Sequence, residues 1–345
     1  MTRRSLLIAA GALPALALAQ SGTLRNLGGA PAGFPIRTRM AREANQPFDF
    51  VEYCHGLGLG VVETRLDPKD AEAGRVLRKK CEAYGMRLIL DFRLPREAGD
   101  LPAFEAAMKA ASDAGAFGLH TAMTGRRYEV YPTLEAFKKD FEQCQKSVAL
   151  AEPLLRKYKM RLGIENHKGW RAAEQAAWLK RVSSEWVGVH FDFGNNLSLC
   201  EIPLETLAHL RPYVISCHIK DMAVEPYDDG FLLSEVPLGD GFLDLKGMVE
   251  SLQAKDPNMP FNLEMITRDP LKIPVLTPAY WATFDDAYSP LPGRDLAGVL
   301  NIVRKNAPKS PLPRTTGLSA GAQLKMEDEN VAKSIEYARR NFRLA

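Results

Sequence analysis

Short apolar runs alternate with longer amphipathic stretches along most of the chain, from residue 34 to residue 306. Apolar residues spaced three or four positions apart predict helices, whereas compact apolar runs bounded by turn residues predict buried strands. We predict strands at 34–40, 60–66, 86–91 and 117–122, followed by four that end at Glu165, Asp192, His218 and Glu264. We predict helices at 47–57, 67–84, 100–114, 133–159, 170–185, 202–211, 244–254 and 294–306.

This alternation indicates eight β/α units between residues 34 and 306. Strands separated by helices of this length pair in parallel through right-handed crossovers. The competing architecture, an open doubly wound sheet, is disfavoured because no glycine-rich phosphate turn follows the first strand. We therefore expect a closed (β/α)₈ TIM barrel.

Two connections are longer than the rest, at 223–243 after the seventh predicted strand and at 267–294 after the eighth. Both follow the carboxyl end of a strand, so they belong at the mouth of the barrel, where active sites lie. The second contains Trp281, which could either stack on a sugar or pack onto the barrel rim.

The two ends of the chain lie outside the predicted barrel. Residues 1–19 combine Arg3 and Arg4 with an apolar stretch and small residues before Gln20, a pattern typical of a signal peptide. The paired arginines favour twin-arginine export to the periplasm, although they also suit a general secretory signal, and no membrane anchor is expected after cleavage. Residues 20–33 are interpreted as a flexible leader. The extension at 307–345 contains one predicted helix at 326–342, interpreted as an external brace or a homo-oligomer contact.

Composition excludes several classes of protein. The net charge is +3 with 25% charged residues, and no basic block indicates a nucleic-acid partner. The five cysteines are odd in number and contain no CxxC spacing, so neither a disulfide framework nor a cysteine zinc site is indicated.

The four residues that end the later strands are the main candidates for chemistry. Burying a carboxylate or an imidazole at a strand end is costly unless a partner compensates it. Glu165, Asp192, His218 and Glu264 together form an oxygen-rich set for one divalent cation, with Mn²⁺ favoured and Mg²⁺, Co²⁺ or Zn²⁺ as alternatives. Taken singly, each carboxylate could instead be a helix cap or an ion-pair member, and His218 a core histidine.

The segments around these residues resemble the xylose isomerase-like TIM-barrel superfamily, specifically its sugar isomerase/epimerase branch. The resemblance covers residues 34–306 and is most specific over 163–264. It implies that Glu165, Asp192, His218 and Glu264 are the metal ligands. It also implies that Glu165 and Glu264 act as the acid/base pair on opposite faces of the substrate.

Other residues near the motifs are candidates for substrate binding. The patterns Glu165-x-His167 and His218-x-Lys220 resemble dehydratase members, so His167 or Lys220 could hold a substrate oxygen or a leaving hydroxyl. Lys220 could instead form an ion pair with Asp221 or another rim carboxylate. Asn195 stands where many relatives carry a histidine, and His120 ends the fourth predicted strand. The chain lacks the additional histidines of the trizinc endonuclease members, which disfavours abasic-site cleavage.

Three functions follow from the resemblance. The leading expectation is a metal-dependent isomerase or epimerase that enolises a small keto-sugar or polyol through an enediolate. The first alternative is a lyase or dehydratase that uses the same metal site. The second is a catalytically inactive barrel that binds a sugar. A phosphorylated substrate is disfavoured because no glycine-rich phosphate loop is present.

Overall fold

The computed structural model describes residues 22–67 and 70–344 and contains a closed barrel of eight parallel strands. The barrel order is β1-β10-β7-β6-β5-β4-β3-β2, and β8, β9 and β11 form a separate antiparallel sheet. This arrangement confirms the predicted (β/α)₈ TIM barrel. The strands are β1 Leu24–Gly29, β2 Leu59–Thr64, β3 Arg87–Asp91, β4 Gly118–Thr121, β5 Arg161–Glu165, β6 Val187–Asp192, β7 Val214–Ile219, β8 Asp221–Tyr227, β9 Gly230–Val236, β10 Phe261–Leu263 and β11 Leu271–Ile273.

The helices follow the predicted order, with an added helix near the amino end and two short ones in loops. Most boundaries differ by a few residues because helix ends depend on local caps. The α-helices are α1 Pro35–Glu43, α2 Phe50–Gly56, α3 Ala71–Tyr84, α4 Leu101–Asp113, α5 Arg127–Val130, α6 Leu134–Tyr158, α7 Ala172–Val182, α8 Pro203–Leu210, α9 Leu245–Lys255, α10 Pro278–Trp281, α11 Gly293–Lys305 and α12 Ala320–Asn341. One 3₁₀-helix, Asn195–Leu199, lies at the barrel mouth.

The first barrel strand was predicted in the wrong place. Residues 35–40 form part of α1 rather than a strand, because Pro35 occupies the first helical turn, where its fixed φ and missing N–H are tolerated. The strand is β1, which lies inside the segment interpreted as a flexible leader. Its glycines serve close packing: a Cβ on Gly28 would lie 2.1 Å from Oδ1 of Asn262. The barrel therefore begins before residue 34.

The extension at the carboxyl end is part of the core rather than only an external brace. Its helix α12 packs against α1, and Val331, Ile335 and Ala338 belong to the main apolar cluster. The buried Glu327 carboxylate accepts hydrogen bonds from the backbone N–H groups of Ile36 and Arg37, at 2.8 and 2.9 Å. A carboxylate at a helix amino terminus satisfies donors that the helix itself leaves unpaired.

The two long connections form a layer over one side of the mouth. The first contains β8 and β9, and the second contributes β11 and α10. A second apolar cluster holds this layer together and includes Met222, Phe231 and Tyr280. The connections are therefore ordered structures, and Arg268 of the second one lines the cavity at the barrel mouth.

The predicted signal peptide at 1–19 lies outside the described residues. Within the described part of the chain, no helix is both long and apolar enough to cross a membrane. All five cysteines are described there as free and buried.

Candidate metal centre and active site

The pairing register brings the four predicted ligands together at the barrel mouth. The position opposite Glu165 on β6 lies two residues before Asp192, and His218 lies directly opposite Asp192. The position opposite His218 on β10 lies two residues before Glu264. Strands in a closed barrel are tilted and staggered, so these steps keep the side chains at similar heights along the axis. Because each step is even, all four point to the same side, the interior.

The interior positions at this end of the barrel are almost all polar, whereas the alternating positions are apolar and pack under the helices. Ile164, Phe191 and Ile219, for example, are buried in the main core. The interior side chains near the mouth are Glu63, Asp91, His120, Glu165, His190, Asp192, His218, Asn262 and Glu264. This concentration of buried ionisable groups indicates a functional site rather than a packing solution.

Three of the predicted ligands form a compact cluster. One ligand atom from each of Glu165, Asp192 and His218 lies within 4.8 Å of the others. Glu264 adjoins them, because its Oε1 lies 3.6 Å from Nδ1 of His218. The cluster thus contains three carboxylates and one imidazole, the donor set of a hard divalent cation.

The orientation of His218 is set by a carboxylate that sequence reasoning did not select. The Nε2–H group of His218 donates to both oxygens of Glu63, at 3.0 and 3.1 Å. This contact leaves Nδ1 as the free nitrogen, directed towards Asp192 and Glu264. Metal-binding histidines are commonly oriented by a carboxylate in this way.

Two unsatisfied buried atoms support a cation at this cluster. Oδ1 of Asp192 and Nδ1 of His218 are buried and lack a hydrogen-bond partner among residues 22–67 and 70–344. Buried polar atoms are rarely left unpaired, so these two atoms of the cluster are available to coordinate a cation. The residues present therefore fit one divalent cation held by Glu165, Asp192, His218 and Glu264.

Two other clusters fit a cation less well. Glu63, Asp91 and His120 form one of them, and His120, His190 and His218 form the other. His120 is already bonded on both sides, to Asp91 at 2.7 Å and to Glu165 at 3.2 Å. Neither nitrogen of His120 is left free to coordinate.

Lys220 lies between two of the predicted ligands. Its ammonium contacts Asp192 Oδ2 and Glu264 Oε2, both at 2.7 Å, and is almost fully buried. This is the ion-pair alternative considered for Lys220. Burial would raise the pKa of Glu264, but Lys220 and His218 outweigh it and lower that pKa to about 2. Glu264 is therefore ionised at neutral pH.

Glu165 is held from two sides. Its Oε1 accepts from the side-chain amide of Asn195 at 3.1 Å, and its Oε2 contacts His120. Burial acts to raise its pKa, but His167 and His120 help to hold it well below the usual value. Asn195 also accepts a hydrogen bond from Lys168 through Oδ1, so the amide links a buried lysine to Glu165.

The remaining predicted substrate contacts separate into two groups. His167 lines the cavity at the mouth, with its Nδ1–H donating to the carbonyl of Thr124 at 2.7 Å. Trp281 does not line this cavity: its indole N–H donates to the carbonyl of Val275 at 2.9 Å, and its ring packs against Tyr280 and Phe284. The structure therefore supports the packing alternative for Trp281 and not the stacking one.

The cavity has a volume of about 680 Å³, which accommodates a small sugar. Its lining includes Glu63, Asp91 and Lys168, which sequence reasoning missed. Glu63 and Asp91 each fall at or near a strand end, as the four selected ligands do, and this shared position could have identified them. Lys168 lies in a loop, where no periodicity distinguishes it from a solvated lysine.

Comparisons with known proteins agree with this fold. The family described as xylose isomerase-like TIM barrel matches residues 39–282. The uncharacterised protein YihM from Escherichia coli (strain K12) is 22% identical over 315 residues, which cover 89% of this chain and 88% of that protein.

Two solved structures share the fold at low sequence identity. A sugar phosphate isomerase/epimerase from Parabacteroides distasonis has a TM-score of 0.52 and 12% identity, covering 92% of this chain and 95% of that one. The probable 3-DHS dehydratase AsbF from Bacillus anthracis has a TM-score of 0.51 and 13% identity, covering 69% and 91%. The family match spans most of the chain, and the chain belongs to the xylose isomerase-like TIM-barrel family.

Proposed function

We propose that this protein is a divalent-metal-dependent isomerase or epimerase of a small keto-sugar or polyol. The observation that carries the proposal is the arrangement of Glu165 and Glu264 at the two ends of an arc formed by β5, β6, β7 and β10. Asp192 and His218 lie between them on the two inner strands. A substrate held over the arc would thus have one carboxylate towards each side.

The two glutamates are suited to proton transfer. Both are buried and both have lowered pKa values, so each is ionised at neutral pH and can accept a proton. Glu165 would take a proton from the carbon beside the substrate carbonyl. Glu264, after taking up a proton from water, would return it to the opposite face, or the two glutamates would exchange these roles. If the proton returns to the same carbon, the configuration of that carbon is inverted and the reaction is an epimerisation. If it returns to the neighbouring carbon, the carbonyl changes position and the reaction is an isomerisation.

The surrounding residues hold these carboxylates in place. Asn195 and His120 fix Glu165, while Lys220 fixes Glu264. A divalent cation held by Glu165, Asp192, His218 and Glu264, with Mn²⁺ favoured, would supply Lewis acidity that stabilises negative charge on the substrate. His167, whose Nδ1 is engaged with Thr124, has Nε2 left to contact a substrate hydroxyl.

The test is exchange of substrate hydrogen for deuterium, followed by NMR. Protein loaded with Mn²⁺ would be incubated in D₂O with ketoses, 3-keto-sugars and inososes, with and without a chelator. We expect chelator-sensitive exchange beside the carbonyl and a new sugar. Glu165→Gln and Glu264→Gln should abolish formation of that sugar, whereas Glu250→Gln on the exposed face of α9 should not.

Other results would assign a different function. Exchange accompanied by an unsaturated product would identify a lyase that uses the same metal site. Lys220 would not serve as its acid, because it is engaged with two carboxylates. Binding of a sugar without exchange, unaffected by either glutamine variant, would identify a binding barrel.

A further inference from the structure

Lys168 is a buried cation that has no role in the proposed proton transfer. Its side chain lies three residues after β5 and lines the cavity, yet the residue is only 3% exposed. Its ammonium donates to Oδ1 of Asn195, a neutral amide oxygen. An ammonium withdrawn from water is unfavourable unless a negative charge compensates it.

The other lysine and arginine side chains that line the cavity are already compensated. Each of them forms an ion pair with a carboxylate, whereas Lys168 forms none within the described residues. The pairs are Arg65 with Asp91, Arg126 with Glu129, Lys220 with Asp192 and Glu264, and Arg268 with Glu235. Lys168 is therefore the cation in this lining that remains available to an anionic ligand.

The electrostatic surroundings agree with this view. Burial, followed by the nearby charge of Lys220, lowers the pKa of Lys168 to about 8, although the charges of Glu235 and Asp192 act to raise it. The amine is still mainly protonated at neutral pH. The side-chain amide of Asn195 accepts from the ammonium of Lys168 and donates to Glu165. This link holds Lys168 close to the end of the cavity where the proposed proton transfer takes place.

We propose that Lys168 binds a carboxylate of the substrate, so that the substrate is a keto-sugar acid rather than a neutral ketose. The inference rests on the proposed function in taking the ligand of this cavity to be the substrate. A carboxylate carries one negative charge and matches one uncompensated ammonium. A phosphate dianion is usually bound by several donors, and the other cations of the lining are already paired.

The test compares one neutral ketose with two acids derived from it. L-Sorbose has hydroxymethyl groups at both ends, 2-keto-L-gulonate has a carboxylate next to the ketone, and 5-keto-D-gluconate has one at the far end. Their affinities for the Mn²⁺-loaded protein would be measured by calorimetry for wild type, Lys168→Met and Arg126→Met. Arg126 is the matched control because it lines the same cavity but is paired with Glu129.

We expect at least one acid to bind wild type about tenfold or more tightly than L-sorbose. Lys168→Met should reduce this preference to about threefold or less while leaving L-sorbose and Mn²⁺ affinities nearly unchanged. Arg126→Met should keep the preference. Lys168→Arg retains the charge and should keep part of it, which separates loss of charge from a disturbed loop.

Four results would overturn the inference. They are equal affinity of wild type for acids and ketose, an equal loss for both in Lys168→Met, an acid preference that survives Lys168→Met, and tighter binding of D-fructose 6-phosphate than of either acid. The third result would mean that the carboxylate binds the metal instead.

The same measurements distinguish a failure of the proposed function from a failure of this inference. Chelator-sensitive exchange of L-sorbose without any acid preference would retain the function and reject the role of Lys168. An acid preference that depends on Lys168, without exchange of any ligand, would retain the anion site and reject the isomerase.

Discussion

The imidazole of His218 donates from Nε2 to both carboxylate oxygens of Glu63, at 3.0 and 3.1 Å, across the interior of the barrel. The contact joins β7 to β2, which are not neighbours in the barrel. It fixes the tautomer of His218 and directs Nδ1 towards Asp192 and Glu264. A residue distant in sequence thus prepares the only imidazole of the proposed ligand set.

Replacing Glu63 should weaken metal binding without removing a ligand. In Glu63→Gln, the side-chain amide can no longer fix His218 as a carboxylate does, so we expect Mn²⁺ affinity to fall about 10- to 100-fold. Calorimetric titration of the metal-free protein would measure it. Glu250→Gln, on an exposed helix surface, is the control. Unchanged affinity in Glu63→Gln would mean that this contact does not orient a ligand.

Lys220 should stabilise the metal-free protein by compensating Asp192 and Glu264. Lys220→Met leaves these two buried carboxylates without their cation and should lower the free energy of unfolding by about 3–5 kcal/mol. Added Mn²⁺ should then stabilise the variant more than it stabilises wild type, because the cation restores the missing charge. Urea unfolding with and without Mn²⁺ measures both effects.

Lys246→Met is the matched control for this experiment, since Lys246 is exposed and pairs with a surface glutamate at 3.9 Å. A metal-free Lys220→Met protein as stable as wild type would show that the ion pairs of Lys220 do not contribute to folding.

Fold and site differ in how far the sequence could predict them. The strands that end at Glu165, Asp192 and His218 were found because each is a compact apolar run closed by one polar residue. The first strand was missed because Gly28 and Gly29 read as a flexible segment, whereas close contacts with Asn262 and Cys54 require them. That requirement comes from neighbours far along the chain, which no local pattern contains.

The same limit applies to the side chains of the site. The alternation within each strand already places Glu63 and Asp91 inside the barrel, but only the closed ring shows that Glu63 meets His218. Trp281 was selected as a substrate contact because aromatic residues often bind sugars. In the structure it packs within its own loop instead. Contacts between loops depend on tertiary structure and could not be derived from composition.

The carboxyl-terminal helix should stabilise the barrel through a cap supplied from outside α1. In Glu327→Ala the backbone N–H groups of Ile36 and Arg37 lose their acceptor, so we expect a loss of about 1–2 kcal/mol. Glu329→Ala, in the same helix but exposed, should change stability by less than about 0.5 kcal/mol. Urea unfolding of both variants measures the difference. Equal effects would reject the capping role.

Glu201 should make stability depend on pH. Burial raises its pKa from 4.5 to about 7, against the opposing effects of Arg171 and Asn196. The native state then retains a proton that the unfolded chain releases, so the contribution of Glu201 to stability falls as pH rises from 4.5 to 7 and beyond. The decrease should reach at most about 3 kcal/mol.

The pH effect is measured as a difference between variants, which removes the contribution of other titrating groups. The stability of wild type minus that of Glu201→Gln should decline between pH 4.5 and pH 8. Glu205→Gln, exposed on α8, should show no such trend relative to wild type. A constant difference between wild type and Glu201→Gln would mean that Glu201 has an ordinary pKa.

The most direct test of the account is the position of the metal, measured by Mn²⁺ binding with electron paramagnetic resonance. Wild type should bind one ion per chain, and Asp192→Asn should lose it because Asp192 Oδ1 is one of the two atoms of the proposed ligand set that are buried without a hydrogen-bond partner in the described residues. Asp91→Asn, in the neighbouring cluster, should still bind the ion. Loss of the ion in Asp91→Asn with retention in Asp192→Asn would place the metal elsewhere and contradict the proposed centre.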